Sequence, residues 1–268
     1  MAVTGGAQTT STAAGPRSTN FTASGPITAT SGQVISGLRI SNPNGDCVSI
    51  PAGATGVVVR DSEIGPCGGR GIFVAGADAL IEYVSVRNAN QGLLAERTGG
   101  TVTRLSKFDA IAKNAIAYAY MTSGTMDGNV VTGDGYSGDV INFFESSNVR
   151  LTNNDINVGI IDCSTCAAFT MGDTTSRKPG SNMYASGNII RQRGNGVAAG
   201  VFGSEGNAVM ERNCFSAGIQ AYNYAGIFVG VTVRDNVINL AASYVPDPAS
   251  IQGWNSNINS SDCSLLKK

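Results

Sequence analysis

LTNNDI, residues 151–156, is one of nine segments of this chain that share one pattern. The others are ISGLRI (35–40), VRDSEI (59–64), IEYVSV (81–86), TRLSKF (103–108), MDGNVV (126–131), ASGNII (185–190), MERNCF (210–215) and VRDNVI (233–238). Each segment ends in a large apolar residue, and successive ends are 24, 22, 22, 23, 25, 34, 25 and 23 residues apart. A period near 23 with apolar residues in a fixed phase is typical of a solenoid, whose repeats stack on one another.

The residues between these segments favour strands over helices. They contain short β-branched runs that follow glycine, such as GIFV at 71–74. Leucine-rich repeats have a similar period, but the leucine ladder that they need is absent. The pattern therefore predicts an all-β chain, a parallel β-helix of about nine rungs in one domain over residues 1–268. We assign 1–30 to an N-terminal segment and cap, 31–240 to the rungs, and 241–268 to a C-terminal tail.

The fourth position of the pattern is asparagine in five consecutive segments. These residues are Asn129, Asn154, Asn188, Asn213 and Asn236. Identical residues one rung apart lie about 4.8 Å from each other, so their amides can bond to one another and to the backbone of the turn. The pattern predicts a buried asparagine ladder. The second position alternates in charge over four segments, as expected for ion pairs between neighbouring strands: Arg60, Glu82, Arg104 and Asp127.

With these rungs the chain resembles right-handed parallel β-helix proteins of the pectate-lyase-like superfamily, over roughly residues 30–240. The resemblance implies a right-handed, single-stranded β-helix of bacterial secreted type. It implies little about activity, because the members include lyases, hydrolases, epimerases and tailspikes. The histidine motif of alginate epimerases is absent. Neither the paired aspartates of polygalacturonases nor the catalytic arginine of pectate lyases has a match in this chain.

Six cysteines, an even number, predict disulfides and an oxidising compartment, so we expect a secreted or periplasmic protein. Their positions alone leave the pairing open. The predicted rungs suggest Cys47 with Cys67 on consecutive turns, Cys163 with Cys166 in one loop, and Cys214 with Cys263 in the tail. A redox or zinc role for the Cys163–Cys166 motif is the alternative to a loop clamp.

The composition narrows the classes of function. The chain has no histidine, which removes the most common general base near neutral pH and the most common metal ligand. A formal net charge of −1 gives no electrostatic reason to expect nucleic acid as a partner. No apolar run is long enough for a membrane span.

Charged residues without a ladder partner concentrate at one edge of the central rungs, around 132–139, 157–166 and 191–195. The longest rung borders this edge, and function in solenoids collects at such variable turns. We predict acid/base roles for the residues there that can move a proton, with Asp139 first: Asp139, Asp134, Asp162 and Tyr136. Lys113, Arg191 and Arg193 are predicted to bind or neutralise the substrate.

Two functions are compatible with this edge. One is an enzyme acting on polysaccharide, a lyase or a hydrolase, and the other is a non-catalytic adhesion or glycan-binding protein. No cofactor is required by either. Calcium is considered because GDGYSGD (133–139) resembles part of a calcium loop, although the full pattern is missing.

An outward apolar stripe is predicted on the strands that follow the edge. The middle residues of successive triplets are expected to point outward: Ser49, Phe73, Leu94, Ala117, Phe169 and Phe228. An exposed apolar stripe needs a cover, so contact between copies of the chain is one candidate for it.

Overall fold

In the computed structural model, each turn of the chain adds one strand to each of three stacked faces. The structure describes residues 14–161, 163, 166–171, 181–194, 196–202, 207–222, 230–245 and 247–266. Strands one turn apart pair in parallel, as Val131 does with Ile156 and Ile156 with Ile190. The predicted all-β parallel solenoid of about nine turns is therefore confirmed.

The three faces follow one another along each turn. The first contains β3 (Val34–Ser36), β8 (Thr101–Arg104), β11 (Gly124–Asp127), β14 (Val149–Thr152), β17 (Met183–Ser186), β20 (Ala208–Glu211) and β23 (Val231–Arg234). The second contains β1 (Thr22–Ser24), β4 (Leu38–Asn42), β9 (Lys107–Ile111), β12 (Val130–Tyr136), β15 (Asp155–Ile160), β18 (Ile189–Gly194), β21 (Cys214–Phe215), β24 (Val237–Ile238) and β25 (Ile258–Asn259). The third contains β2 (Ile27–Thr28), β5 (Val48–Ile50), β10 (Ile116–Ala119), β13 (Ile141–Phe144), β16 (Ala167–Met171), β19 (Val197–Phe202) and β22 (Ile219–Tyr222). The long strands β6 (Val58–Val74) and β7 (Leu80–Glu96) pass through all three faces.

The core is a set of stacked columns of apolar side chains. The nine apolar residues that end the repeated segments are all fully buried: Ile40, Ile64, Val86, Phe108, Val131, Ile156, Ile190, Phe215 and Ile238. Phe143 packs between Tyr118 and Phe169, with ring centroids 5.9 and 5.5 Å away. Because burying a side chain of this size contributes roughly 1.5–3 kcal/mol, these columns hold the turns together.

A left-handed residue turns the chain from the first face to the second. This corner residue has φ between 44° and 70° in every turn: Gly37, Asp61, Tyr83, Leu105, Gly128, Asn153, Gly187, Arg212 and Asp235. Only three of them are glycine, so most turns carry some backbone strain at this corner. The residue after the corner forms hydrogen bonds between neighbouring turns.

That next residue bonds to its equivalents in the neighbouring turns. Asn129 donates from its backbone N and from Nδ2 to Asn154 Oδ1, each at 2.9 Å. Asn154 bonds in the same way to Asn188, at 3.0 and 2.9 Å. The series runs on through Asn213 and Asn236 to Asn257 in the tail. These bonds satisfy amide groups that the corner would otherwise leave buried and unpaired.

Ion pairs join neighbouring strands on the outside. Arg104 Nη2 lies 2.7 Å from Glu82 Oε2 on the first face, and Arg39 Nε lies 2.8 Å from Glu63 Oε2 on the second. Both are charge pairs of adjacent strands in parallel register, which stabilise a sheet modestly.

The solenoid extends at both ends beyond the predicted rungs at 31–240. At the N-terminal end, β1 pairs with β4 and β2 pairs with β5. At the other end, β25 pairs with β24, and short 3₁₀-helices at Leu240–Ala242, Pro248–Ser250, Trp254–Ser256 and Cys263–Leu265 form the tail. Within the described residues, no helix is long and apolar enough to cross a membrane.

All six cysteines are paired. The bonds are Cys47–Cys67, Cys163–Cys166 and Cys214–Cys263, with sequence separations of 20, 3 and 49 residues. The predicted pairing is confirmed, with Cys163 and Cys166 bonded to each other within one loop.

The predicted outward position of Phe169 is wrong. Phe169 pairs in register with the inward residue Ile141 and is fully buried. Because successive strand residues face opposite sides, a phase error of one residue exchanges the inside and the outside. Ser49, Phe73 and Leu94 do point outward and are half-buried, and Ala117 is in register with Leu94 but is buried. Phe228 lies outside the described residues. Contact between copies of the chain stays a prediction.

Candidate functional site

The predicted edge lies on the second face, where β12, β15 and β18 run side by side. Arg193 donates from Nη2 to Asp134 Oδ1 at 2.7 Å, although a whole turn separates the two residues. Gly159 lies between them in register, and a Cβ there would be only 2.3 Å from Asp134 Oδ1. The missing side chain at Gly159 lets the carboxylate reach the arginine.

A second pair lies beside the first. Arg191 Nη1 lies 2.9 Å from Asp155 Oδ1, and Arg193 also donates to Asn157 Oδ1. We call the outward groups of these three strands the mid-solenoid face, defined as Thr132, Asp134, Asp155, Asn157, Arg191 and Arg193. The side chains of Arg191 and Arg193 keep 41% and 51% of their surface exposed, so both guanidinium groups remain accessible from solution.

Tyr136 does not reach this face. Its ring is fully buried, and its hydroxyl donates to the Thr132 carbonyl oxygen at 2.9 Å. Burial raises its pKa well above the usual range, and the charges of Asp109 and Asp134 raise it further. As placed, Tyr136 supports strand β12 from the core and does not contact a ligand on the surface, contrary to its predicted place in the site.

Asp139 lies at the turn from the second face to the third, and both its carboxylate oxygens accept hydrogen bonds. Oδ1 accepts from the backbone N–H of Ala167 at 2.8 Å, and Oδ2 accepts from Asn142 Nδ2 at 3.2 Å. Asp46 occupies the equivalent position of an earlier turn and accepts the N–H of Arg70 at 2.7 Å. The shared geometry assigns both aspartates a turn-capping role. Asp139 does not belong to the mid-solenoid face.

The carboxyl group of Asp139 should give stability a distinct pH dependence. Burial raises its pKa, an effect that the Ala167 N–H partly opposes. Because its pKa is raised, Asp139 binds its proton more tightly in the folded state than in the unfolded state. The stability that this carboxyl group contributes is therefore present below its ordinary pKa of about 4 and is lost as pH rises through the raised pKa. Asp139→Asn keeps an oxygen for Ala167 but cannot ionise. We expect the variant to gain stability relative to the native chain as pH rises from about 4, measured by urea unfolding across pH. A stability difference that stays constant with pH would contradict this assignment.

The other predicted residues are dispersed. Lys113 is exposed on the turn between β9 and β10, and its backbone N donates to Asn90 O at 3.0 Å. Asp162 lies outside the described residues. Among the residues that the structure does describe, no group of three acidic or cysteine side chains could hold a metal ion. Asp134 and Asp139 are bonded to Arg193 and to amide groups, and calcium stays a prediction.

A family model for the right-handed β-helix region matches residues 25–175, more than half of the chain. The chain belongs to the right-handed β-helix family. Membership agrees with the parallel register of the turns and confirms the predicted handedness. No curated protein matches this β-helix by sequence.

Two solved structures are similar to this β-helix at low identity. One is the catalytic domain of a GH87 α-1,3-glucanase variant in complex with tetrasaccharides, at 10% identity and a TM-score of 0.48. The alignment covers 82% of this chain and 54% of that one. The other is the Dettilon tailspike protein, at 12% identity and a TM-score of 0.21, with 88% and 63% covered. The alignments thus cover less than two thirds of each of these two proteins.

Several residues of the mid-solenoid face were not predicted from the sequence. Thr132 and Asn157 directly follow the buried apolar residues of their turns, as Asp109 and Arg191 do. Thr132 Oγ1 donates to Asp109 Oδ1 at 2.6 Å, which extends the polar face by one more turn. The position after each apolar residue is visible in the aligned repeats, and this signal could have found them.

Proposed function

We propose that this β-helix is an extracellular protein that binds acidic polysaccharide through the mid-solenoid face. The observation that carries the proposal is the pair of half-exposed arginines at successive outward positions of one strand, β18. Guanidinium groups bind carboxylates through two parallel hydrogen bonds, which is the recognition that a uronate requires.

The carboxylates that now contact these arginines can give way to a ligand. Ion pairs as exposed as Asp134–Arg193 contribute only about 0–1 kcal/mol to stability. A uronate carboxylate with both bonds to Arg193 would replace such a pair at little cost, while Asp134 remains solvated. Asn157 and Thr132 supply amide and hydroxyl groups for sugar hydroxyls on the same face.

Binding agrees better with the geometry than acid/base catalysis does. Tyr136 is buried with its hydroxyl engaged, and Asp139 caps a turn. Of the predicted proton-transfer groups that the structure describes, only Asp134 is exposed on the face, and it contacts Arg193. The three disulfides support an extracellular or periplasmic location, because such bonds persist in oxidising compartments.

Removing one guanidinium should weaken binding of polygalacturonate by at least about tenfold, since a charge-assisted bond is worth about 1.5–3 kcal/mol. The variant is Arg193→Ala, and the measurement is calorimetric titration at low salt. Raising the salt concentration should reduce the affinity of the native chain. Arg60→Ala on the first face makes the same charge change on an exposed residue and serves as the control.

Equal losses of affinity for polygalacturonate in Arg193→Ala and Arg60→Ala would show that the ligand does not bind to the mid-solenoid face. Tight binding to neutral glucans but none to polygalacturonate would contradict the acidic ligand. The same samples report on catalysis: unsaturated products that absorb in the ultraviolet indicate a lyase, and new reducing ends alone indicate a hydrolase.

A further inference from the structure

The first face presents two outward columns of side chains in its early turns. The residues between the columns, such as Val59, Ile81 and Met126, are fully buried, so their neighbours on each strand point outward. One column is apolar and consists of Val34, which is 52% exposed, and the half-buried Val58, Leu80 and Val102. The other column is charged and alternates in sign: Arg60, Glu82, Arg104 and Asp127. An outward apolar column of this kind favours a partner that covers it.

The two central charges of the second column pair with each other, whereas the two outer ones do not. Arg104 donates from Nε and Nη2 to Glu82 Oε2, at 3.0 and 2.7 Å. Arg60 is exposed and forms no ion pair with the residues that the structure describes. Asp127 Oδ1 accepts two hydrogen bonds from side chains of the next turn, at 2.6 and 2.9 Å, and within the same residues Asp127 has no cationic partner. A cation and an anion are therefore left at opposite ends of the column.

The order of these charges is complementary to itself under a two-fold rotation. When the rotation axis lies in the interface and along the strands, the second copy runs antiparallel, and each column faces the same column of the partner. Centred between the turns of Glu82 and Arg104, the axis places Arg60 opposite the partner's Asp127, and Glu82 opposite the partner's Arg104. Each pair then forms twice, as in any isologous contact between identical subunits.

The apolar column separates the antiparallel arrangement from a parallel one. In the antiparallel dimer, Leu80 faces the partner's Val102, so apolar side chains cover each other. A parallel copy, with the two-fold axis along the solenoid, would place Glu82 against the partner's Leu80 and Arg104 against the partner's Val102. Since a charge that is buried against apolar groups loses its hydration without compensation, only the antiparallel arrangement fits both columns.

We propose that the first face is the interface of a homodimer in which two copies of the chain pack face to face and antiparallel. The proposal is independent of glycan binding, because the mid-solenoid face lies on the second face and remains accessible in the dimer. Sheets packed in this way lie about 10 Å apart, so the side chains of the two copies touch. The complementary charges span four turns, roughly 14 Å along the solenoid. A contact of this size forms a reversible dimer, which salt weakens.

Sedimentation equilibrium of the full chain tests the association. We expect the average mass to rise with concentration from one towards two times the 27.4 kDa of a single chain, and to rise less at high salt. A mass that stays at that of one chain up to about 1 mM protein would overturn the dimer.

Reversing either outer charge tests which face forms the contact. Arg60→Glu places a carboxylate opposite the partner's Asp127 at two symmetric positions, and Asp127→Arg places a cation opposite the partner's Arg60. Each variant alone should raise the dissociation constant of the dimer by at least about tenfold. An equimolar mixture of the two variants should associate again, because the mixed dimer pairs opposite charges at both positions.

Lys113→Glu is the matched control, since it makes the same change of charge on the exposed turn between β9 and β10 and should leave the association unchanged. Circular dichroism of each variant checks that it folds, and Arg60→Glu changes an exposed side chain that the fold does not use. If Arg60→Glu and Asp127→Arg both associated like the native chain, the dimer would form through another surface. If the mixture of two folded variants remained monomeric, the loss of association would not come from charges that face each other across the interface.

Discussion

Replacing Cys214 and Cys263 together with alanine should lower the free energy of unfolding by roughly 4 kcal/mol, one of the two largest effects that we expect. This disulfide closes a segment of 49 residues, and the entropy that a cross-link removes from the unfolded chain grows with the length of that segment. It also fastens the tail over the last turns of the second face. Guanidinium unfolding followed by circular dichroism measures the change.

The matched comparison is the double alanine variant of Cys163 and Cys166, whose separation is only 3 residues. The same chain-entropy argument gives it a loss of roughly 1.5 kcal/mol. If both double variants lost the same stability, loop length would not govern these bonds. If the tail variant lost nothing, the tail would be held by other contacts.

Asn154→Leu should destabilise the chain by about 3 kcal/mol, because it leaves more than one buried amide without a partner. Asn154 Oδ1 accepts two bonds from Asn129, and its Nδ2 donates to Thr152 O at 2.8 Å and to Asn188 Oδ1 at 2.9 Å. Leucine has a similar volume and supplies none of these groups. Asn213→Leu removes the equivalent bonds in a later turn and should cost a similar amount.

The control for both is Asn44→Leu, which changes an exposed turn residue and should alter stability by no more than about 0.5 kcal/mol. Urea unfolding of the three variants gives the comparison. A midpoint for Asn154→Leu that matches that of Asn44→Leu would mean that the bonded series contributes nothing to stability.

Much of the fold could be predicted because its determinants are local and repeated. An apolar residue at a fixed phase must enter the core, and its recurrence near every 23 residues places one turn over the next. The same register aligns Arg104 with Glu82 and brings Cys47 close to Cys67 on consecutive turns. These features follow from the aligned segments without knowledge of the loops.

The candidate site could be predicted only in outline, because its contacts cross turns of unequal length. Arg193 meets Asp134 across 59 residues, and the contact depends on the empty space above Gly159. The turn that contains Ile156 is the longest, so the repeat does not show which residues of β16 point inward. Phe169 was therefore predicted to point outward, whereas it pairs in register with the inward residue Ile141. From its position in the chain, Tyr136 was predicted to lie at the surface. The register of β12 shifts between Asp134 and Tyr136, and the Tyr136 side chain lies in the core.

The sequence by itself determined the stacked turns and the buried column, because each depends on residue type at a regular spacing, whereas the cysteine positions alone left the pairing open. Only the tertiary structure decided which charged groups form ion pairs and which residues remain exposed to solvent. Loop lengths and the two terminal segments determine those contacts. The sequence repeat does not indicate where the segment near Gly15 or the tail near Cys263 lies. The turns are encoded locally, whereas the terminal segments meet the solenoid only after folding, as the bonds of Gly15 to Leu105 and of Cys263 to Cys214 show.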